Sequence, residues 1–246
     1  MSRVYYYSRL ILVLSPRNQD DTRPVEVHSG REATRKGDCA MTLTIELQDA
    51  IAKDGEIWIH APNLTDDGFY EFCRDNPMLP IERTKNMDIL VTMPADSFGD
   101  NRNFELGLYV GNWNNALPTP GIAFGPSAGF TLPNGAVRSP DVAWISADRW
   151  NALPASLRFP FAHIAPDFVV EIMSPSDRLP KAKEKMDEYV ESGVRLGWLI
   201  DRANRSVYAY RPGVAVEALS DPAMVGGDPE LPGLIVNMAR IFQDSL

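Results

Sequence analysis

The sequence predicts an α/β (α+β) fold in which a mixed central β-sheet is flanked by helices, and three stretches carry that expectation. Residues 166–173 hold a near-continuous run of β-branched and aromatic residues (Phe168, Val169, Val170, Ile172), the pattern of a strand covered on both faces. Residues 180–192 set Ala182, Met186, Tyr189 and Val190 on one helical face, with Gly193 placed as a left-handed cap. Residues 196–200 then form another buried strand around Trp198. Strands, helix and strands in this order describe a sheet with helices packed on it.

The remaining elements follow in chain order. Residues 1–40 carry seven Lys/Arg and five Asp/Glu, a net charge of +2 against -11 for the rest of the chain. With Met41 opening an alternating pattern through Ile45, that shift marks 1–40 as a disordered N-terminal extension and 41–246 as a single domain. Residues 41–76 show neither period clearly, so no element is assigned there. Residues 87–93 read as a strand ended by Pro94, and 103–113 as a largely buried helix, apolar nearly all round, with Glu105 among its apolar residues. Short strands are expected at 121–124 and 129–132, and Pro133-Asn134-Gly135 supplies a hairpin turn leading into a strand at 141–145. A short helix is expected at 147–157, and Ser174 to Asp177 read as a capped helix entry. Residues 206–210 and 214–219 flank Arg211-Pro212-Gly213 as a hairpin, and 237–242 form a closing helix.

Composition narrows the function classes. The net charge of -9 gives no bulk attraction to nucleic acid, so any DNA contact must be local. Cys39 and Cys73 are the only cysteines, which suggests neither a disulfide framework nor a thiolate metal site and fits a reducing cytoplasm. No stretch approaches the roughly 18 apolar residues of a membrane span. The apolar patch at residues 10–14 is short for a signal peptide and is followed by Pro16 and Arg17 rather than a cleavage site. His28, His60 and His163 are dispersed without ligand spacing, so zinc is not expected.

The informative chemistry is acidic. Glu171 sits inside the apolar strand, where an unpaired carboxylate costs several kcal/mol unless it is paired, protonated or bound to a cation. Asp141, after Pro140, is a second acid at a strand position. Strand parity groups Asp141 with Ala143 and Ile145, and Glu171 with Val169 and Met173, so adjacent strands would bring both carboxylates over one face. Oxygen ligands of this kind suit Mg²⁺. The bland alternatives are a Glu171 salt bridge to Arg138 or Arg195, a turn role for Asp141, and a solvated face for Lys181, Lys183 and Lys185. Asp167 shares the parity of Glu171 but lies at the strand mouth, where a capping role is expected. Trp144, Trp198 and Tyr189 read as core.

The run from Arg138 to Trp144, the run from Pro166 to Asp177, then Lys185-Met186 with Tyr189, and Gly193-Val194 with Gly197-Trp198-Leu199-Ile200-Asp201, together resemble the Uma-two family of restriction endonucleases, within the PD-(D/E)XK nuclease superfamily. The resemblance spans roughly residues 80 to 242. It implies a restriction-endonuclease-like core and a metal-dependent endonuclease hydrolysing DNA phosphodiester bonds. It implies Asp141 and Glu171 as ligands of Mg²⁺ (or Mn²⁺), Lys185 as the catalytic lysine displaced onto the following helix, and Glu105 as a helix glutamate that assists. The chain departs from the simple E-x-K pattern, since Met173 stands two residues after Glu171. On a helical wheel Lys183 and Lys185 each lie roughly 80° from the centre of the apolar face, so periodicity leaves both open and the family pattern alone favours Lys185.

DNA is the implied substrate, and a homodimer would suit cutting both strands of a duplex. Two rival readings remain at this level: a non-catalytic nucleic-acid-binding or assembly module on the same fold, and a hydrolase of a non-nucleic-acid substrate.

Overall fold

The structure is a computed structural model that describes residues 10–14, 41–45, 56–61, 64–92, 97–175 and 177–243. The chain divides into two compact units, Met1–Ile81 with Met87–Pro94, and Glu82–Asn86 with Ala95–Leu246. In the first unit β1 (Leu10–Leu14) pairs antiparallel with β2 (Met41–Ile45). Most of the first forty residues, and with them the expected N-terminal extension, lie outside the described residues. Strand β3 (Glu56–His60) is followed by α1 (Asp66–Asp75), whose first turn is closed by Thr65 Oγ1 accepting from the Gly68 N–H at 3.1 Å. Only Phe69 and Phe72 of α1 are buried, too sparse an apolar stripe to announce a helix in the sequence. Strand β4 (Ile81–Arg83) ends in the second unit, and the expected strand after it is β5 (Asp88–Thr92), paired antiparallel with β3.

The second unit opens with Glu82 and Arg83, then α2 (Ser97–Ala116), and contains β6 (Ile122–Phe124), β7 (Phe130–Thr131), β8 (Val137–Arg138) and β9 (Val142–Ile145). After α3 (Ala147–Ala152) come β10 (Phe168–Ile172), α4 (Leu179–Glu191), β11 (Leu196–Asp201), β12 (Ser206–Tyr210) and β13 (Glu217–Ser220). A small hairpin, β14 (Met224–Gly226) with β15 (Ile235–Asn237), precedes α5 (Met238–Ile241). The main sheet is mixed, in the order β13-β12-β11-β10-β9-β6. Its one parallel pair is β10 with β11, joined by α4 as the crossover that parallel neighbours require.

Alternation along β9 and β10 sends side chains to two separate cores. Val142, Trp144, Phe168 and Val170 join Leu106 and Val110 of α2 and Met238 and Ile241 of α5. Ala143, Ile145 and Val169 join Met186 and Tyr189 of α4. Side chains of α4 pack close to β11 there: a Cβ on Gly197 would stand 2.5 Å from the flexible tip of Met186, at its Cε. Gly193 adopts φ +107 at the end of α4, as its sequence position predicts.

Several expectations are corrected. The Asn134-Gly135 turn joins β7 to β8, and β8 also pairs with β4, so the hairpin does not run on into β9: Pro140 cannot donate to a ladder, and the Ser139 N–H is taken by Glu82. The helix expected at 147–157 stops at Ala152, and Ala155–Leu157 follow Pro154 as a single 3₁₀ turn. Helix α4 begins at Leu179 without a side-chain cap, because Asp177 Oδ2 instead accepts from the Ser174 N–H at 2.6 Å and closes a turn. Helix α2 is longer than expected, and Phe104 and Leu108 lie on its exposed face. The return strand after Tyr210 is β13, later than residues 214–219, with Leu219 opposite Val207.

Candidate active site

All the groups of the site belong to the second unit. Strand β9 runs antiparallel to β10 with Trp144 opposite Phe168, Ala143 opposite Val169 and Val142 opposite Val170. Continued by one residue, that register places Asp141 opposite Glu171, and directly opposed residues of an antiparallel pair share a face. The face is the one covered by α4. Asp141 is fixed at both oxygens: Oδ1 accepts from Asn103 Nδ2 at 2.9 Å and Oδ2 from the Ile172 N–H at 2.7 Å.

Glu171 is gripped at one oxygen only. Its Oε1 accepts from the Tyr189 hydroxyl at 2.8 Å and pairs with Lys185 Nζ at 2.8 Å, two residues one turn apart on α4. Among the described residues no arginine touches it, and Oε2 takes no hydrogen bond. Lys185 Nζ also pairs with Glu82 Oε1 at 3.0 Å. Glu82 is held in turn by the Ser139 N–H at 2.9 Å and by Arg138 at 3.0 Å, and Arg138 continues to Glu188 at 2.7 Å. Asn134 Nδ2, from the β7–β8 turn, closes the chain on Glu188 Oε1 at 3.0 Å.

The electrostatics of the group are uneven. Burial pushes the Glu171 carboxyl up to about 7; Lys185 opposes the rise, while Asp141 and Glu82 add to it. Burial likewise raises Asp141. Glu82 goes the other way, because Lys185 and Arg138 outweigh its desolvation and hold it at about 2. Lys185 is driven above its ordinary value: burial lowers it, and Glu171 and Glu82 overcome that. The ammonium is therefore a fixed positive charge and not a base at neutral pH.

Asp141, Glu171, Glu82 and Glu188 against Lys185 and Arg138, with Asp177 also acting on Asp141, leave negative charge in excess when all are ionised, the balance a bound cation would relieve. Among the described residues no group of three or more His, Cys, Asp or Glu could hold a metal ion. Mg²⁺ does not need one, since it is commonly held by one or two carboxylates, with water and substrate phosphate completing its shell. Two hard carboxylates sharing a face, one with a free oxygen, fit that ion.

The structure thus brings together Asp141, Glu171 and Lys185 of the residues singled out by sequence. It does not bring Glu105, which pairs with Arg240 at 3.1 Å. The contact from α2 to Asp141 comes from Asn103, about 200° around the helix from Glu105. Lys183 lies 4.2 Å from the centre of the Tyr208 ring and away from the acids. Asp167, at the other end of β10, accepts from the Ser146 N–H and pairs with Arg149 and Arg195. Glu82, Tyr189 and Asn103 were missed as site residues. Tyr189 carried a signal, because a fully buried tyrosine needs a partner for its hydroxyl. Glu82 carried none, lying in a three-residue strand without a readable period.

Comparison with known proteins places the chain in a family and a fold. The family model Uma2, described as "Putative restriction endonuclease", matches residues 66–239. The crystal structure of "a putative nuclease belonging to DUF820" from Anabaena variabilis ATCC 29413 is similar in fold, with a TM-score of 0.54 and 22% sequence identity over 66% of this chain and 89% of that chain. No curated protein matches the chain.

Proposed function

Because the chain belongs to the Uma2 family of restriction endonucleases, we propose that its second unit is a Mg²⁺-dependent endonuclease that hydrolyses DNA phosphodiester bonds at Asp141 and Glu171. The observation that carries this reading is the β9–β10 register, which, continued by one residue, sets the two carboxylates opposite one another under α4, with a lysine and, among the described residues, no arginine paired to them.

Asp141 and Glu171 would hold the cation, Mn²⁺ serving as a substitute for Mg²⁺. The ion supplies a more acidic bound water and offsets charge on the phosphoryl oxygens. Every other task falls to side chains. Asn103 and the Ile172 N–H fix both oxygens of Asp141, and Tyr189 and Lys185 fix Oε1 of Glu171, which turns Oε2 outward as the free ligand atom. Lys185, kept as an ammonium, orients the attacking water and stabilises developing negative charge. The proton of that water must go elsewhere, to solvent or a phosphate oxygen.

Incubation of the purified protein with supercoiled plasmid tests this. Nicked or linear product is expected with magnesium, none with chelator, and none from Asp141→Asn at matched thermal stability. Cleavage that survives in chelator or in Asp141→Asn would overturn the proposal.

A further inference from the structure

We propose that Glu82 is a positioning residue for the nuclease chemistry, holding the Lys185 ammonium in place from the side opposite Glu171. This rests on the nuclease reading of the site, and it assigns a task to an acid that has no direct contact with Asp141 or Glu171 and to which the family resemblance assigns no role.

Lys185 Nζ lies between two carboxylate oxygens, 2.8 Å from Glu171 and 3.0 Å from Glu82. The two partners are not equivalent. Glu171 keeps one oxygen without a hydrogen bond among the described residues and would share its charge with a cation once one is bound. Glu82 is committed entirely inward: Oε1 takes the Ser139 N–H and Lys185, and Oε2 takes Arg138. Arg138 is itself anchored by Glu188, and Glu188 by Asn134. A lysine stem has four rotatable bonds, and a single shared partner would not keep its ammonium in one place. The rigid relay from Asn134 to Glu82 does so, and it survives the entry of a cation at Glu171 because none of its members is a ligand.

A flexible loop would hold Glu82 poorly. The residue instead sits on β4, which pairs with β8 through Arg83 opposite Val137, one position from Arg138. The strand that carries the relay's guanidinium therefore lies beside the strand that carries its carboxylate. Glu82 is well removed from Asp141 and Glu171 along the chain, and only the fold delivers it.

The test combines a spectroscopic signature with a double-mutant cycle. An ammonium held in two ion pairs gives a sharp ¹⁵N resonance, whereas a solvated one exchanges its protons with water too fast to be seen. The metal-free wild type is expected to show one such resonance that Lys185→Met removes, and Glu82→Gln is expected to lose it while remaining folded. In the plasmid assay Glu82→Gln should lower kcat about 10- to 100-fold with KM for DNA changed less than about threefold, and should have no further effect in a Lys185→Met background. Glu82→Asp, which keeps the charge one methylene short, should fall between the two; where Glu82→Gln fails to fold, the aspartate variant carries the test, with a broadened resonance and reduced kcat expected.

No wild-type resonance, a resonance that persists without the Glu82 charge, or effects that multiply in the double mutant would overturn the assignment. A resonance that depends on Glu82 in a protein that cuts no DNA would sink the nuclease reading while leaving the ion-pair relay standing as architecture.

Discussion

Two acids four residues apart, buried Asp167 just ahead of β10 and half-buried Glu171 within it, are provided for in opposite ways. Asp167, ahead of the strand, has a side chain only 1% exposed, yet it meets Arg149 at 3.1 Å, Arg195 at 3.5 Å and the Ser146 N–H at 2.8 Å. Its charge is answered more than once. Glu171, inside the strand, has one lysine, which it shares with Glu82, and a facing aspartate that repels it. The same backbone thus supports a carboxylate that stabilises the fold and one held at a cost, and the second kind is where catalytic and binding chemistry concentrates.

Removal of each acid separates the two most sharply in activity. Asp141→Asn or Glu171→Gln is expected to lower magnesium-dependent plasmid cleavage by at least about 10³-fold, the scale associated with losing a group that stabilises charge in the transition state. Asp167→Asn should cost little activity per folded molecule. Equal losses from both ends of β10 would erase the distinction.

Stability should invert the order. Asp167→Ala strands Arg149 and Arg195 beside a buried gap, and loss of one member of a buried pair costs roughly 3 kcal/mol, reduced here toward about 2 because both guanidinium groups are partly exposed. In a chain of this size that is a fall of about 5 °C in melting temperature, readable by thermal denaturation. Glu171→Gln in chelator should melt at or above wild type near pH 8.

The pH dependence has a definite sign. The folded Glu171 carboxyl stands at about 7, above its ordinary 4.5, so it keeps its proton where the unfolded chain has already lost it. Its contribution is complete below pH 4.5 and is lost as pH rises through 7, at most about 3 kcal/mol by linkage. Glu82, lowered to about 2, contributes above pH 4.5 and loses that contribution only as pH falls toward 2. Melting curves of the metal-free protein from pH 4 to 8 should show wild type losing ground to Glu171→Gln between about pH 4.5 and 7, with little further change above that. A constant difference would mean that folding leaves the Glu171 carboxyl unshifted.

What the sequence disclosed follows the same division. Periodicity reveals which strands are buried, and an acid inside such a strand stands out against it, so Glu171 and the mixed sheet could be read directly, whereas Asp141, just ahead of β9, kept a turn role open and drew its ligand role from the family resemblance. Lys185 could not be told from Lys183 on the helical wheel, since both flank the apolar face; only the packed position of α4, with Met186 and Tyr189 in the core, shows Lys185 meeting the acids and Lys183 over Tyr208. Glu105 looked costly because its neighbours are apolar, but α2 leaves Phe104 and Leu108 exposed, and the glutamate shares that accessible side with Arg240. Glu82 was beyond reach, because its role comes from a pairing of strands far apart in sequence, and no local period records such a contact.

Tyr189 gives the smallest and most discriminating effect. Its ring belongs to the core under α4, and its hydroxyl donates to Glu171 Oε1, so Tyr189→Phe keeps the packing and removes one hydrogen bond. The stability change should be about 1 kcal/mol or less, since a single hydrogen bond is involved. The chemical change is directional: a donor to the ionised carboxylate favours the charged form, so its removal raises Glu171 further. The acid limb of the pH–rate profile should move to higher pH, with cleavage reduced severalfold at pH 7 and recovering toward wild type near pH 9. An activity loss that is equal at all pH values would instead place Tyr189 in the packing of α4 alone, and Glu171 would then owe its orientation to Lys185.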